Sequence, residues 1–132
     1  MKQEHLDEIT VIYDVLARHD VEALRSLRSV HPDFAWQPAP DELETDERRG
    51  IEKALAFSGE FLETFDRIDI DIEDRIDLGP EAAIFVINMR VRGAASGADT
   101  ERREAHLWTV RDGQLASLRE FPTLEDAMAA AG

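Results

Sequence analysis

The sequence contains no cysteine, which excludes disulfides, thiolate nucleophiles and thiolate metal sites. It also lacks a long hydrophobic run. The longest strongly apolar stretch, Ala82 to Ile87, is far too short to span a bilayer. Basic residues are scarce, 15 against 29 acidic ones, for a net charge of −14. Such a surface repels phosphate backbones and anionic lipid, so neither a nucleic-acid nor a membrane partner is expected. Solubility explains this acidity well enough, and it does not by itself point to a cationic substrate. The opening residues, Met1-Lys2-Gln3-Glu4-His5, carry charge at once and have no apolar signal-peptide core. Together with the missing cysteines, this makes a cytoplasmic location the expectation. His5, His19, His31 and His106 are dispersed, with no ligand spacing, so no metal and no cofactor are expected.

What the chain does contain is 43% hydrophobic and 33% charged residues over 132 positions. That composition fits one folded domain, residues 1–132, with a single sizeable core. Leu6, Ile9, Ile12, Tyr13 and Leu16 recur at helical spacing between Glu4 and Arg18. Asp20 is placed to cap a shorter helix that buries Val21, Leu24 and Leu27. Phe34-Ala35-Trp36 reads as a short strand, and Pro38 to Arg49, with two prolines and the run "DELETDE", as a solvated loop or flap. A third helix from Ile51 to about Phe65 carries Ile51, Ala54, Leu55, Ser58 and Leu62 on one stripe and Phe57, Phe61 and Phe65 on the next. Ile68, Ile70, Ile72, Ile76 and Leu78 then alternate with charged residues as a half-buried strand that Gly79-Pro80 ends. In the following strand, Ala82 to Arg92, Phe85, Ile87, Met89 and Val91 share one side. The other side, Ile84, Val86, Asn88 and Arg90, is only partly polar, which points to a covering partner, here a second subunit.

The last third carries the chemistry. "REAHLWTV", the turn "RDG" and "QLASLREF" form a hairpin, and "TLEDAMAAAG" a closing helix. A three-residue loop, Arg111-Asp112-Gly113, sets His106 opposite Leu118 and puts His106, Trp108, Leu118 and Glu120 on one side of the sheet. A two-residue Asp112-Gly113 loop instead pairs His106 with Arg119 and turns Glu120 away. In the first register, an imidazole, an indole and a carboxylate share a semi-apolar surface. The plain alternative is a satisfied core histidine, with Glu120 bonded to Arg119, Arg103 or solvent, and Trp36 and Trp108 serving only as packing. Other motifs carry no function. "DIDIEDRIDLGP" lacks the glycine of a calcium loop, and Gly93 to Gly97 opens no helix that would hold a phosphate.

The order helix, helix, short strand, helix, four long strands, terminal helix predicts an α+β domain, a strongly curved antiparallel sheet wrapped around three helices with a short C-terminal helix. With "HDVEALRSL", "HPDFAW", "RRGIEKALAFSGEFLETF", "GAASG", "HLWTVRDGQLASLREF" and "EDAMAAAG" in that order, nearly the whole chain resembles the SnoaL-like branch of the NTF2-like, or ketosteroid-isomerase-like, superfamily. The resemblance implies a conical cavity. The isomerases' general-base Asp would fall near Gln37-Pro38, where there is no carboxylate, while their oxyanion pair would fall at Tyr13 and His106. SnoaL-type cyclases carry an acid on the last strand fourteen positions after a His, the separation of Glu120 from His106. The implied catalytic set is Glu120 as proton-transfer group, with His106 and Tyr13 as donors to a developing enolate. The implied ligand walls are Trp36, Phe57, Phe61, Phe85, Ile87, Met89, Trp108 and Leu118. A small apolar carbonyl compound, cofactor-free isomerisation or aldol-type cyclisation, and a homodimer through the outer sheet face complete the expectation. A non-catalytic binding or dimerisation module of the same fold is the alternative.

Overall fold

The computed structural model describes residues 1–27, 29–40 and 46–132. Helix α1 (Gln3–Ala17) buries Ile9, Ile12, Tyr13, Val15 and Leu16. It stops where His19 takes a left-handed φ of 57° and Asp20 N–H reaches back to the Val15 carbonyl, a two-bond C-terminal cap that usually employs glycine. The His19 imidazole is tied to the Phe65 carbonyl at 2.7 Å, which fixes the corner. Asp20 then caps α2 (Val21–Arg25), its carboxylate accepting from Ala23 N–H. Helix α3 (Ile51–Thr64) turns Ala54, Ser58 and Leu62 inward.

The strands are β1 (Val30–Gln37), β2 (Arg48–Arg49), β3 (Phe65–Asp77), β4 (Ala82–Gly93), β5 (Asp99–Arg111) and β6 (Gln114–Phe121), and α4 (Leu124–Ala131) closes the chain. Among the described residues they form one curved, unclosed sheet in the order β2-β1-β6-β5-β4-β3. The expected antiparallel sheet is in fact mixed, because β1 runs parallel to β6. The expected solvated stretch after Gln37 also differs: Pro38 and Ala39 are buried, and Arg48–Arg49 pairs with β1. The acidic run of that stretch falls mainly at 41–45, outside the described residues.

Two bulges decide what faces what. In β3 the register shifts between Ile72 and Asp74, so Ile68, Ile70 and Ile72 pack in the cone while Ile76 and Leu78 face the opposite side. The simple alternation of five apolar residues is therefore split between two cores, because one extra residue reverses the pleat. In β6 the shift falls between the pairs Thr109–Ser117 and Val110–Leu115. The concave side holds the main core from α1, α2, α3 and the inner strand faces. On the convex side, Ile84, Ala105 and Leu107 pack against Ala127 of α4. The apolar part of the mixed outer face of β4 thus packs against the chain's own last helix.

Candidate functional site

The hairpin turn is the two-residue one. Asp112 and Gly113 both have positive φ (55° and 75°), and Arg111 pairs with Gln114. That loop alone would send Glu120 to the outer face. The bulge at Leu115–Ser117 adds one residue to β6 and restores the parity, so His106 lies directly opposite Glu120 and Trp108 opposite Leu118. The three-residue register is corrected, yet the four side chains do share the concave face.

They line a cavity of about 110 Å³ together with Tyr13, Trp36, Phe57, Phe61, Ile87 and Met89. Phe85 is not among the lining residues: it is wholly buried behind Tyr13, with ring centres 5.9 Å apart. An apolar cavity of about 150 Å³ accommodates benzene, whereas pockets for larger ligands run to roughly 300–1,000 Å³. The space therefore suits a single ring or a short chain. Trp36 and Phe57 pack edge to face at 4.9 Å, and Phe34 and Trp108 lie 6.2 Å apart, which keeps it narrow.

The polar groups form one connected cluster. Trp108 Nε1–H donates to the Tyr13 hydroxyl oxygen at 2.9 Å, and that oxygen lies 2.7 Å from His106 Nδ1. His106 Nε2 lies 2.9 Å from Glu104 Oε1 and 3.9 Å from Glu120 Oε2. Glu104, only 1% exposed, also accepts from Arg102 Nε at 2.7 Å. Glu120 accepts from Trp36 Nε1–H at 2.9 Å and from the Ala39 amide. Neither Arg119 nor Arg103 is its partner in these bonds; Arg103 instead forms a two-pronged pair with Glu73.

Burial drives the Glu120 carboxyl above its ordinary value. The charge of His106 opposes that shift, that of Glu104 adds to it, and the Trp36 and Ala39 N–H groups again favour the ionised form. The Tyr13 phenol is pushed well above its ordinary value near 10, chiefly by burial; the Trp108 bond pulls it back and the two carboxylates add to the rise. Tyr13 therefore stays a neutral hydroxyl at any ordinary pH.

Glu104 is the participant that sequence reasoning missed. Its signal was present: it stands two positions before His106, so the alternation that turned His106 inward turned Glu104 inward too. One atom each from Glu104, His106 and Glu120 fall within 4.8 Å, a span a cation could bridge. Each of the three already has a hydrogen-bond partner in the protein, and those bonds account for the grouping.

The fold and the walled cavity define an α+β cone of the NTF2-like kind. A family model described as a SnoaL-like domain matches residues 9–118, and the chain belongs to that family. Among solved structures, it is similar to a candidate SnoaL-like polyketide cyclase from Jannaschia sp. CCS1, at 21% identity, TM-score 0.74, and coverage of 95% of this chain and 89% of that one. An NTF2-like protein of unknown function from Burkholderia pseudomallei gives 14% identity, TM-score 0.77 and 97% of each chain. A Mycobacterium tuberculosis protein in complex with estradiol-17β-hemisuccinate gives 17%, TM-score 0.70, 86% of this chain and 88% of that one. At these identities the likeness is one of fold. No curated protein sequence matches the chain. Among the described residues, no helix is long and apolar enough to cross a membrane.

Proposed function

We propose that this SnoaL-like protein binds a small, mostly apolar carbonyl compound in the cone and that Glu120 acts there as general base, without a cofactor. The observation that carries this reading is the carboxylate itself. Glu120 lines an otherwise largely apolar cavity, is held by two neutral N–H donors and has a raised proton affinity. A base of that kind, dry and oriented, is suited to removing a proton next to a carbonyl. His106 sits directly across the hairpin, and Glu104 with Arg102 behind it fixes the ring. The steroid conjugate on the M. tuberculosis protein supports an apolar ligand class. The small volume favours a ligand of one ring over a steroid.

The same narrowness favours the second reading, a non-catalytic binder whose cone is largely filled by Trp36, Phe57 and Trp108. Deuterium exchange separates the two without knowledge of the natural substrate. Cyclohexanone incubated with the protein in D2O should lose its α-protons faster than in buffer, as followed by proton NMR. Glu120→Gln should lower that acceleration by about 100-fold or more. Exchange that the variant leaves unchanged sinks Glu120 as the base. Binding without any acceleration leaves the binder.

The reading includes a cytoplasmic location and a homodimer through the outer sheet face. Leu124 and Met128 on α4 stand 38% and 44% exposed on that side of the molecule. Beside the covered apolar patch runs a ladder of cancelling pairs, Arg90–Asp71, Arg92–Asp66 and Arg103–Glu73.

A further inference from the structure

Hydrogen counting in the Trp108–Tyr13–His106–Glu104 chain leads one step further, resting on the cavity as a small-molecule site. An indole N–H can only donate, so the Tyr13 oxygen always accepts from Trp108. Between that oxygen and His106 Nδ1, 2.7 Å apart, there is room for one hydrogen. When His106 is neutral, the Glu104 carboxylate at 2.9 Å from Nε2 holds the ring hydrogen there, and the hydrogen between Tyr13 and Nδ1 is the phenol's own. An imidazolium brings a hydrogen on Nδ1 as well. The Tyr13 oxygen then accepts twice, and its O–H has to turn to a different acceptor. Tyr13 lines the cavity, where a ligand oxygen can supply one.

We propose that the charge on His106 switches the Tyr13 hydroxyl between a bond inside the protein and a bond to the ligand, and that the site takes a ring-sized enolate or phenolate together with one proton. The groups facing His106 agree with this. Glu104 on β5 and Glu120 on β6 both lie at Nε2, Arg102 stands behind Glu104, Tyr13 reaches in from α1, and the β4 partner, Phe85, carries no charge. The arriving oxyanion adds a negative charge beside the imidazole, so binding and protonation of His106 favour each other. The phenol keeps its proton throughout, since burial holds it far above ordinary pH. A neutral ketone of the same size gains much less from the switch and takes up no proton.

The test uses wild-type protein labelled with 15N in histidine, at a pH where a titration shows His106 neutral. The probes are 1,3-cyclohexanedione, ionised to its enolate, and cyclohexanone, the same ring without the charge. The free protein should show His106 protonated on Nε2 alone, and saturation with the enolate should protonate both nitrogens; cyclohexanone should leave the ring neutral. Tyr13→Phe should weaken the enolate about 10- to 100-fold and cyclohexanone by no more than about twofold. A ring that stays neutral with enolate bound overturns the switch. So does Nδ1–H in the free neutral protein, an imidazolium across the whole pH range of folding, or a Tyr13→Phe variant that binds enolate like the wild type. If neither probe binds, the small-molecule reading falls and the switch with it. If cyclohexanone exchange depends on Glu120 while His106 ignores the enolate, only the switch falls.

Discussion

At the scale of single residues, Glu120 ties stability to pH with a sign opposite to that of most carboxylates. Burial raises its proton affinity in the folded chain above the ordinary value of 4.5, so between those two values the native state holds a proton that the unfolded state has released. Stability from this group is complete below the unfolded value and is lost as pH rises through the folded one. Glu120→Gln has no charge to bury. The melting temperature of the variant minus that of the wild type should therefore grow more positive from about pH 4 to about pH 8. A difference that is flat or falls with pH would mean that the Trp36 and Ala39 donors, with His106, outweigh desolvation. Tyr13 and His106 were legible from residue type and periodicity, whereas Glu120 reaches the same face only because a two-residue turn and a bulge together give the parity of the expected three-residue loop. Glu104, which holds the imidazole from its Nε2 side, was passed over because its residue type suggests surface, although alternation turns it inward with His106. The same alternation puts Arg102 on that face, two positions before Glu104, where its guanidinium reaches the carboxylate. The resemblance that offered Tyr13 as an oxyanion donor could not show that its hydroxyl already serves His106 and Trp108.

At the scale of elements, most boundaries followed from periodicity, and the misread face of Ile76 and Leu78 came from a bulge. Leu115 and Leu118 are both buried although three positions apart, which period-two alternation forbids. That spacing was the visible sign of an extra residue in β6. The run Ile72-Glu73-Asp74-Arg75-Ile76 held the same sign in β3, three charged residues where alternation needs one. Parallel pairing of β1 with β6 had no local signal, because it is a long-range choice between strand edges. The apolar outer face of β4 was read correctly as needing cover, but the nearest candidate, "TLEDAMAAAG", was overlooked. Its Ala127 is wholly buried against Ile84, Ala105 and Leu107. Ala127→Asp places an unpaired carboxylate there and should cost about 2–4 kcal/mol, seen as a lower urea midpoint with an unchanged slope. Ala127→Ser should cost less, and an aspartate variant as stable as the wild type would show that α4 detaches easily.

For the whole molecule, net charge and the outer face act against each other. A pair of chains at −14 each repel at long range, while the ladder on β3, β4 and β5 is close to neutral because its arginines and acids cancel one to one. Exposed pairs of that kind contribute roughly 0–1 kcal/mol each, too little to overcome the repulsion unaided. Burial of Leu124 and Met128 would supply the attraction, and that term does not weaken with salt. The screening length falls from about 30 Å at 0.01 M to about 3 Å at 1 M salt, so salt removes the repulsion between whole chains first. A dimer through this face should thus strengthen as salt rises, and sedimentation at fixed protein concentration should show the dimer fraction growing from about 0.02 M to about 0.5 M sodium chloride. Met128→Glu should keep the chain monomeric at both. Dissociation by salt would place the attraction in the ion pairs instead, and a monomer at every concentration and salt would leave α4 as the only cover this face needs.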